Sequence, residues 1–252
     1  MEFHDWEPVY DAILADMGFD RDGDERARDL LADLVSDDDP GAHRGPDDGA
    51  SASDAPGTAP TLTPEALDLE GETVAVVGAG PSLGDELGVV RAADSVVAAS
   101  DAAAVVRDAG LAVDCMVTDL DERSDVAREL TAEGTPVAVH AHGDNRPALR
   151  ERVPRLTVEW VLPTTQAAPA GPVVDTGGFT DGDRAAFLAD HCGAAELVFA
   201  GWDFDDPDVG PLKARKLVWA ERLLRWLEIR RGDRFAVLDG RRDAIDASSL
   251  PV

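Results

Sequence analysis

The stretch Thr73-Val74-Ala75-Val76-Val77-Gly78-Ala79-Gly80-Pro81-Ser82-Leu83-Gly84 decides the fold class. Its first five residues form an unbroken apolar and largely β-branched run, which is typical of a strand buried on both faces of a parallel sheet. A glycine-rich stretch follows, which is typical of the turn between such a strand and a helix. Pro81 suits the first turn of that helix. The pattern predicts an α/β unit with a ligand site where the strand ends.

Four further apolar runs follow the first one along the chain. They occupy residues 95–99, 115–117, 136–139 and 197–200, and polar residues or glycine follow each of them. Segments with helical spacing separate the runs, and residues 213–229 have the spacing of an amphipathic helix. Such runs, alternating with helices, indicate a parallel sheet covered on two sides. We therefore predict an α/β fold with a Rossmann-like, mostly parallel sheet and helices on both faces.

Four segments of different composition divide the chain. Residues 1–36 carry apolar residues at steps of three and four, which predicts a small helical segment whose second helix begins near Asp24. Residues 37–63 contain four prolines, four glycines and no aromatic residue, and this composition predicts a mobile acidic linker. We assign residues 64–240 to the α/β domain and residues 241–252 to a C-terminal tail.

The composition is strongly acidic and excludes several kinds of partner. The chain has 51 Asp and Glu residues against 23 Lys and Arg residues, a formal net charge of −28. Nucleic-acid binding needs a basic surface, so we expect no nucleic-acid partner. No apolar run approaches the roughly 20 residues of a membrane-spanning helix, and we identify no signal peptide. The two cysteines favour a cytoplasmic protein with reduced thiols. The sequence leaves the oligomeric state open, including a homo-oligomer.

The basic residues are distributed unevenly between arginine and lysine. The chain has 36 Asp, 15 Glu and 21 Arg but only 2 Lys, a composition that resembles proteins from salt-loving archaea. The two lysines, Lys213 and Lys216, lie three residues apart and thus on one face of a helix. A compact ammonium that binds phosphate is a role for which lysine differs from arginine. A surface salt bridge is the alternative interpretation.

Acidic residues follow two of the predicted strands. Asp119 and Asp121 come directly after the third apolar run, and Asp101 follows the second. Side chains two positions apart in an extended chain point the same way, so both carboxylates can face one cation. Oxygen ligands favour Mg²⁺, which commonly bridges protein carboxylates to substrate phosphates. Solvated surface carboxylates are the alternative.

Three other stretches carry candidate ligands for phosphate or substrate. The glycines at 78–84 would let a phosphate approach the backbone, although an ordinary turn or a dinucleotide site also fits. Arg184 offers a planar fork for phosphate oxygens, in a stretch where Thr180 or Asp181 can instead serve as a helix cap. The candidates for substrate contact after the fourth run are His142, Asp144 and Asn145; zinc binding by His-x-His and structural hydrogen bonding are the alternatives.

These motifs occur in an order that resembles the archaeal 6-hydroxymethyl-7,8-dihydropterin diphosphokinase family. The resemblance covers residues 64–230, and the first helix looks like the family's N-terminal segment. It implies an enzyme that transfers diphosphate from ATP to the hydroxymethyl group of a reduced pterin and releases AMP, on the way to folate or methanopterin-type cofactors. The motifs are Gly78 to Leu83, Thr118-Asp119-Leu120-Asp121, His140 to Asn145, Thr164-Thr165-Gln166, Gly177 to Arg184, and Lys213/Lys216-Leu217.

A more distant resemblance, to the catalytic half of thiamine pyrophosphokinases, implies bound Mg²⁺ around the ATP phosphates. It rests on residues 98–121 and on Thr180-Asp181, and it departs from that family's Asp-Gly at Asp101-Ala102. The metal ligands so implied are Asp101, Asp119, Asp121 and Asp181. For the pterin reaction that the first resemblance implies, the candidate catalytic residues are Asp119, Asp121, Asp181 and Lys216. The candidate ATP and phosphate contacts are Gly78, Gly80, Ser82, Arg184, Lys213 and Lys216, and the candidate pterin contacts are His142, Asp144 and Asn145.

Three alternative functions stay open from the sequence. An NAD(P)-binding oxidoreductase would use Gly78, Gly80 and Gly84, but would not need the acidic pair or the two lysines. A nucleotide-sugar glycosyltransferase is a second alternative, because some such domains share the Gly-Pro-Ser-Leu signature. A non-catalytic nucleotide sensor is the third, and it would bind ATP but leave it intact.

Overall fold

A computed structural model describes residues 1–36 and 61–251. The linker predicted at 37–63 lies outside the described residues, except for positions 61–63. The helices are α1 (Phe3–Met17), α2 (Arg21–Val35), α3 (Leu83–Ala92), α4 (Asp101–Asp108), α5 (Ser124–Glu133), α6 (Arg146–Arg152), α7 (Asp181–His191) and α8 (Pro211–Arg231). The strands are β1 (Thr73–Val77), β2 (Ser95–Ala99), β3 (Cys115–Thr118), β4 (Val137–Ala141), β5 (Val161–Thr165) and β6 (Glu196–Ala200).

The six strands form one sheet in the order β5-β4-β3-β2-β1-β6, and every pair is parallel. The predicted α/β fold is confirmed, with the described sheet wholly rather than mostly parallel. The chain moves outward from β1 to β5 and then returns to place β6 on the other side of β1. A reversal of this kind opens a crevice at the carboxyl ends of the strands, where open α/β sheets bind ligands.

Successive side chains of each strand point to opposite faces of the sheet, so a separate hydrophobic core lies on each face. In β1, Val74 and Val76 belong to a core formed with α1, α7 and α8, whereas Ala75 and Val77 belong to a core formed with α2 to α6. All four side chains are fully buried. The apolar, β-branched character of the opening stretch therefore follows from burial on two faces.

The structure differs from the sequence prediction most clearly in strand β5, strand β4 and helix α2. Strand β5 was not predicted, because Pro163 interrupts it and threonines complete it; its position at the edge of the sheet is where proline is tolerated. Strand β4 continues to Ala141, two residues beyond the predicted run. Helix α2 begins at Arg21 rather than near Asp24, because the Asp20 side chain caps it by accepting from the backbone N–H of Asp22.

The N-terminal helices are built into the sheet assembly. Trp6 and Tyr10 of α1 are fully buried in the core that contains α7 and α8, and α2 packs against β4 and β5. Gly18 ends α1 in the left-handed conformation, as its sequence position predicts. Leu250, in the predicted tail, is buried in the same core as Trp6. Among residues 1–36 and 61–251, no helix is both long and apolar enough to cross a membrane.

Candidate active site at the carboxyl edge of the sheet

A cavity of about 680 Å³ opens at the carboxyl edge of the sheet. The turn between α1 and α2, the first turn of α7 and one face of α8 complete its walls. All the predicted site residues line this cavity except Ser82 and Asn145. The wall residues that follow the six strands include Gly78, Ser100, Asp119, His142, Gln166 and Gly201.

Ser82 and Asn145 hold the cavity walls together. The backbone N–H and the hydroxyl of Ser82 donate to Asp203 Oδ2 over 2.9 and 2.7 Å. Asn145 is 5% exposed; its Nδ2 donates to the backbone oxygens of Asp119 and His140, and its Oδ1 accepts from the N–H of His142. Asn145 therefore joins two loops, as the structural hydrogen bonding considered for it predicts, and its contact with pterin stays a prediction.

The backbone of Gly201 lies close to Gly78 and Gly80, at the glycine-rich turn where the sequence suggested that a phosphate could approach. A Cβ atom on Gly78 would lie 2.6 Å from the oxygen of Gly201, and one on Gly80 would lie 2.7 Å from the same oxygen and collide with the Asp203 carboxylate. The N–H groups of Gly78 and Gly80 donate to Ala200 and Gly201 over 2.9 Å. Packing against the end of β6 thus accounts for both glycines.

The acidic pair after β3 lies on a turn, so the extended-chain geometry predicted for it is wrong. Strand β3 ends at Thr118, and Leu120 adopts φ +63° although it is fully buried. The Thr118 hydroxyl accepts from the N–H of Leu120, and Asp119 Oδ1 accepts from the N–H of Asp121. The turn nevertheless brings both carboxyl groups to the cavity. Left-handed non-glycine residues of this kind cluster at functional sites.

The two carboxyl groups of the pair have opposite pKa shifts. Burial alone would raise the pKa of Asp119, but hydrogen bonds with His142 and Asp121 and the charge of Arg184 hold it well below its usual range. Nε2 of His142 lies 3.1 Å from Asp119 Oδ2. The hydrogen bond shared with Asp119, together with burial, raises the pKa of Asp121 to about 7. These surroundings therefore favour the charged form of Asp119 and disfavour that of Asp121.

Asp181 and Arg184 form a buried ion pair at the start of α7. Asp181 Oδ1 accepts from Arg184 Nη1 over 2.9 Å, and Asp181 Oδ2 lies 2.5 Å from the Ser100 hydroxyl oxygen. Burial raises the pKa of Asp181, and the negative charge of Asp119 raises it further. The positive charge of Arg184 acts in the opposite direction but does not cancel these effects. Thr180 and Asp183 form the capping box of α7. Asp181 is therefore left to face the cavity.

Carboxyl groups outnumber cationic groups around the cavity. Ten carboxyl groups line it: Asp20, Asp24, Asp101, Asp119, Asp121, Glu122, Asp144, Asp181, Asp203 and Asp206. Five cationic groups line it: Arg26, Arg146, Arg184, Lys213 and Lys216. This excess would repel a polyphosphate unless a cation entered with it.

The two lysines of the chain both lie on the face of α8 that lines the cavity, as their spacing predicted. Lys213 is exposed, whereas Lys216 is half-buried with Nζ 5.8 Å from the centre of the Phe179 ring. Burial, helped by the positive charge of Arg184, lowers the pKa of Lys216. The Lys216 side chain, packed beside Phe179 at the cavity wall, is placed to contact an anion there.

The donor set fits a hard divalent cation that is shared with phosphates. Asp119 and Asp121 present adjacent carboxyl groups, and Asp101 Oδ1 is buried without a hydrogen-bond partner among the described residues. Within residues 1–36 and 61–251, no three His, Cys, Asp or Glu side chains are grouped closely enough to hold a metal alone. Mg²⁺ commonly takes one or two protein carboxylates and completes its shell with water and phosphate oxygens. His140 is buried against Thr164, which leaves the His-x-His motif without a zinc geometry.

Four aromatic residues also line the cavity, and the sequence analysis did not predict them as a group. This aromatic set consists of Phe19, Phe179, Trp202 and Phe204. The whole chain has only 13 Phe, Trp and Tyr residues. Aromatic residues are therefore enriched around this cavity, which holds four of them. Phe19 comes from the turn between α1 and α2, and the Trp202 indole N–H donates to the oxygen of Val76. The one available signal was the position of Trp202 and Phe204 directly after the last apolar run.

A parallel sheet with an acidic, lysine-flanked cavity at its carboxyl edge defines a Rossmann-like α/β protein with a candidate ligand site. The sequence profile described as 6-hydroxymethylpterin diphosphokinase MptE-like matches residues 58–209. The chain belongs to this family, as the order of its motifs predicted.

Three archaeal relatives resemble nearly the whole chain, and each is named 6-hydroxymethyl-7,8-dihydropterin pyrophosphokinase. The protein of Methanothermobacter thermautotrophicus is 37% identical over 92% of this chain and 97% of its own length. The Pyrococcus furiosus protein is 34% identical over 90% and 95%, and the Methanocaldococcus jannaschii protein is 27% identical over 90% and 96%. These similarities give no support to the oxidoreductase or glycosyltransferase alternatives.

Proposed function

We propose that this chain transfers diphosphate from ATP to the hydroxymethyl group of 6-hydroxymethyl-7,8-dihydropterin, giving AMP and the pterin diphosphate. The family and the names of the three relatives support the reaction. The observation that carries the proposal is the meeting of Asp119 and Asp121 with Arg184 and Lys216 in one cavity. Transfer of diphosphate from a triphosphate to an alcohol requires such a combination. The negative charge of the phosphates must be neutralised while the alcohol and the triphosphate are held in line.

In the proposed reaction, the hydroxymethyl oxygen attacks the β-phosphorus of ATP. The new oxygen–phosphorus bond forms while the bond from the β-phosphorus to the oxygen that bridges to the α-phosphorus breaks, so AMP leaves with that oxygen. The hydroxyl proton passes to a base, for which Asp101 and Asp121 are the candidates. Both carboxyl groups line the cavity, and proton transfer needs a base within hydrogen-bond reach of the alcohol.

We propose that Asp119 and Asp121 hold Mg²⁺, with Asp101 and Asp181 beside them. The ion, when bound, supplies positive charge to the phosphate oxygens. The ten carboxyl groups around the cavity support this proposal, since a tetra-anionic nucleotide would otherwise be repelled. His142 supports it as well, because its hydrogen bond to Asp119 orients that carboxylate.

We propose that Arg184, Lys213 and Lys216 bind the phosphates. Their charges would oppose the negative charge that develops as AMP leaves. The phosphates would lie against these cations rather than on the N–H groups of Gly78 and Gly80, which donate within the protein. The flat rings of adenine and pterin match the aromatic set, and Asp144 and His142 would contact polar groups of the pterin.

The reaction is tested by identifying the nucleotide product by ³¹P NMR. Purified protein in high salt, with Mg²⁺, ATP and the reduced pterin, should release AMP. Asp119→Asn should lower kcat by at least about 100-fold. Asp125→Asn is the matched control, because Asp125 is an exposed carboxylate of α5 outside the cavity, and it should leave kcat unchanged. Release of ADP would overturn the proposal, and ATP that binds but stays intact would favour the nucleotide sensor.

A further inference from the structure

Asp24 of α2 is a buried carboxylate at the cavity wall, outside the stretch that the family profile matches. It is 3% exposed, and three groups donate to it. Oδ2 accepts from the Tyr10 hydroxyl over 2.7 Å and from Gln166 Nε2 over 2.8 Å. Oδ1 accepts from the backbone N–H of Gly143 over 2.7 Å. With both oxygens engaged inside the protein, Asp24 has the contacts of a residue that acts through its neighbours.

One chain of contacts runs from Asp24 to the ion pair at the start of α7. Gln166 donates to Asp24 through Nε2, and its Oε1 accepts from Arg184 Nη2 over 3.1 Å. Arg184 Nη1 in turn donates to Asp181. A carboxylate only accepts hydrogen bonds and a guanidinium only donates them. Only one orientation of the Gln166 amide lets it both donate to Asp24 and accept from Arg184. The carboxylate of Asp24 favours this orientation because it requires a donor.

A second chain of contacts runs from Asp24 to the acidic pair. The Gly143 N–H that donates to Asp24 lies next to His142 in the chain, and His142 contacts Asp119. Close packing supports this contact, because a Cβ atom on Gly143 would lie 3.3 Å from the backbone of Gly23 in α2. The loop after β4 is therefore pinned to α2 at the residue beside His142.

We propose that Asp24 is a positioning residue of the active site: it sets the hydrogen-bond polarity of Gln166, which aims Arg184, and it anchors the loop that carries His142. The inference rests on the proposed function for its kinetic consequence. It assigns α2 a role in the reaction through the hydrogen bonds of Asp24 with Gln166 and Gly143.

The polarity of the network predicts a rescue between two variants. In Asp24→Asn, an amide that still accepts from Gly143 presents Nδ2 to Gln166 Nε2, so two donors face each other. If Gln166 turns over to relieve this, it presents a donor to Arg184. In Gln166→Glu, two carboxylates face each other. In the double variant, the carboxylate introduced at position 166 accepts from both the amide introduced at position 24 and Arg184, and the buried charge is conserved. The Tyr10 hydroxyl loses its acceptor in both variants that carry an amide at position 24, so this loss does not separate them.

The experiment measures kcat and KM for AMP release in Asp24→Asn, Gln166→Glu and the double variant. Each single variant should lose about 100-fold in kcat, because small displacements of catalytic groups cost that much, and the double variant should exceed either by about tenfold. Glu228→Gln is the matched control, since Glu228 is a buried carboxylate that accepts from Arg225, Arg242 and the N–H of Phe235 away from the cavity. It should lower the melting temperature and leave kcat unchanged.

Crystal structures of the three variants provide a readout that does not depend on turnover. Arg184 should leave Asp181 in Asp24→Asn and return to it in the double variant. A double variant worse than both single variants, or Arg184 unmoved in Asp24→Asn, would overturn the positioning role even where the wild type releases AMP. A wild type that releases no AMP would defeat the proposed function alone, and the variant structures would still decide the role of Asp24.

Discussion

Gly80→Ala separates two explanations of the glycine-rich turn, packing of protein against protein and approach of a phosphate. The added Cβ would collide with the Asp203 carboxylate and lie 2.7 Å from the backbone oxygen of Gly201. Overpacking of this kind costs about 1–3 kcal/mol. Displacing Asp203 from the Ser82 N–H adds about 1.5–3 kcal/mol, as for other charged hydrogen bonds. The sum, about 4 kcal/mol, lowers the melting temperature of a chain of this size by about 10 °C.

The assay is thermal unfolding followed by circular dichroism in high salt, with Gly84→Ala as the matched control. Gly84 belongs to the same motif, but a Cβ there meets nothing within 4 Å. Placing alanine in the helix should therefore stabilise the chain by about 0.5 kcal/mol. If Gly80→Ala melts like the wild type and only its KM for ATP rises, the glycine serves ligand approach and the packing explanation is refuted.

Two further predictions concern the charged residues of α8. Lys216→Ala should raise KM for ATP and lower kcat by about 100-fold in the AMP assay, whereas Arg215→Ala, one position earlier on an exposed part of the helix, should change neither. Burial raises the pKa of Glu228, but hydrogen bonds from Arg242 and Phe235 outweigh it and lower this pKa from its ordinary value of 4.5. The ionised Glu228 carboxylate therefore stabilises the fold above pH 4.5, and this stabilisation is lost as the pH falls through the folded-state pKa. The melting temperature of Glu228→Gln should therefore lie below that of the wild type at pH 7 and converge with it as the pH falls below the ordinary value of 4.5; a constant difference across this range would contradict the assignment.

Much of the fold could be predicted because most strands carry their own signal. Strands β1, β2, β3, β4 and β6 are short apolar runs that end at polar residues or glycine, and the parallel sheet follows from that pattern. Strand β5 lacks the signal, since Pro163 and two threonines occupy the positions where apolar residues would mark it. Its place at the edge of the sheet depends on contacts with β4, which a local pattern does not contain.

The site could be predicted where chemistry is local and not where it depends on distant contacts. The acidic pair, the two lysines and Arg184 were identified from residue type and spacing, and they share one cavity. The capture of Ser82 by Asp203, 121 residues away in the chain, gave no local signal. The hydrogen bond between Gln166 and Asp24 joins residues that are 142 positions apart, and it likewise gave no local signal in the sequence.

The most direct test of the central claim is a crystal structure with Mn²⁺ and a non-hydrolysable ATP analogue, in which anomalous scattering locates the metal. We expect a metal peak bridging the Asp119 and Asp121 carboxylates to oxygens of the β- and γ-phosphates, with Lys216 and Arg184 on the same phosphates. A triphosphate bound with its metal away from both aspartates, or bound outside this cavity, would contradict the claim.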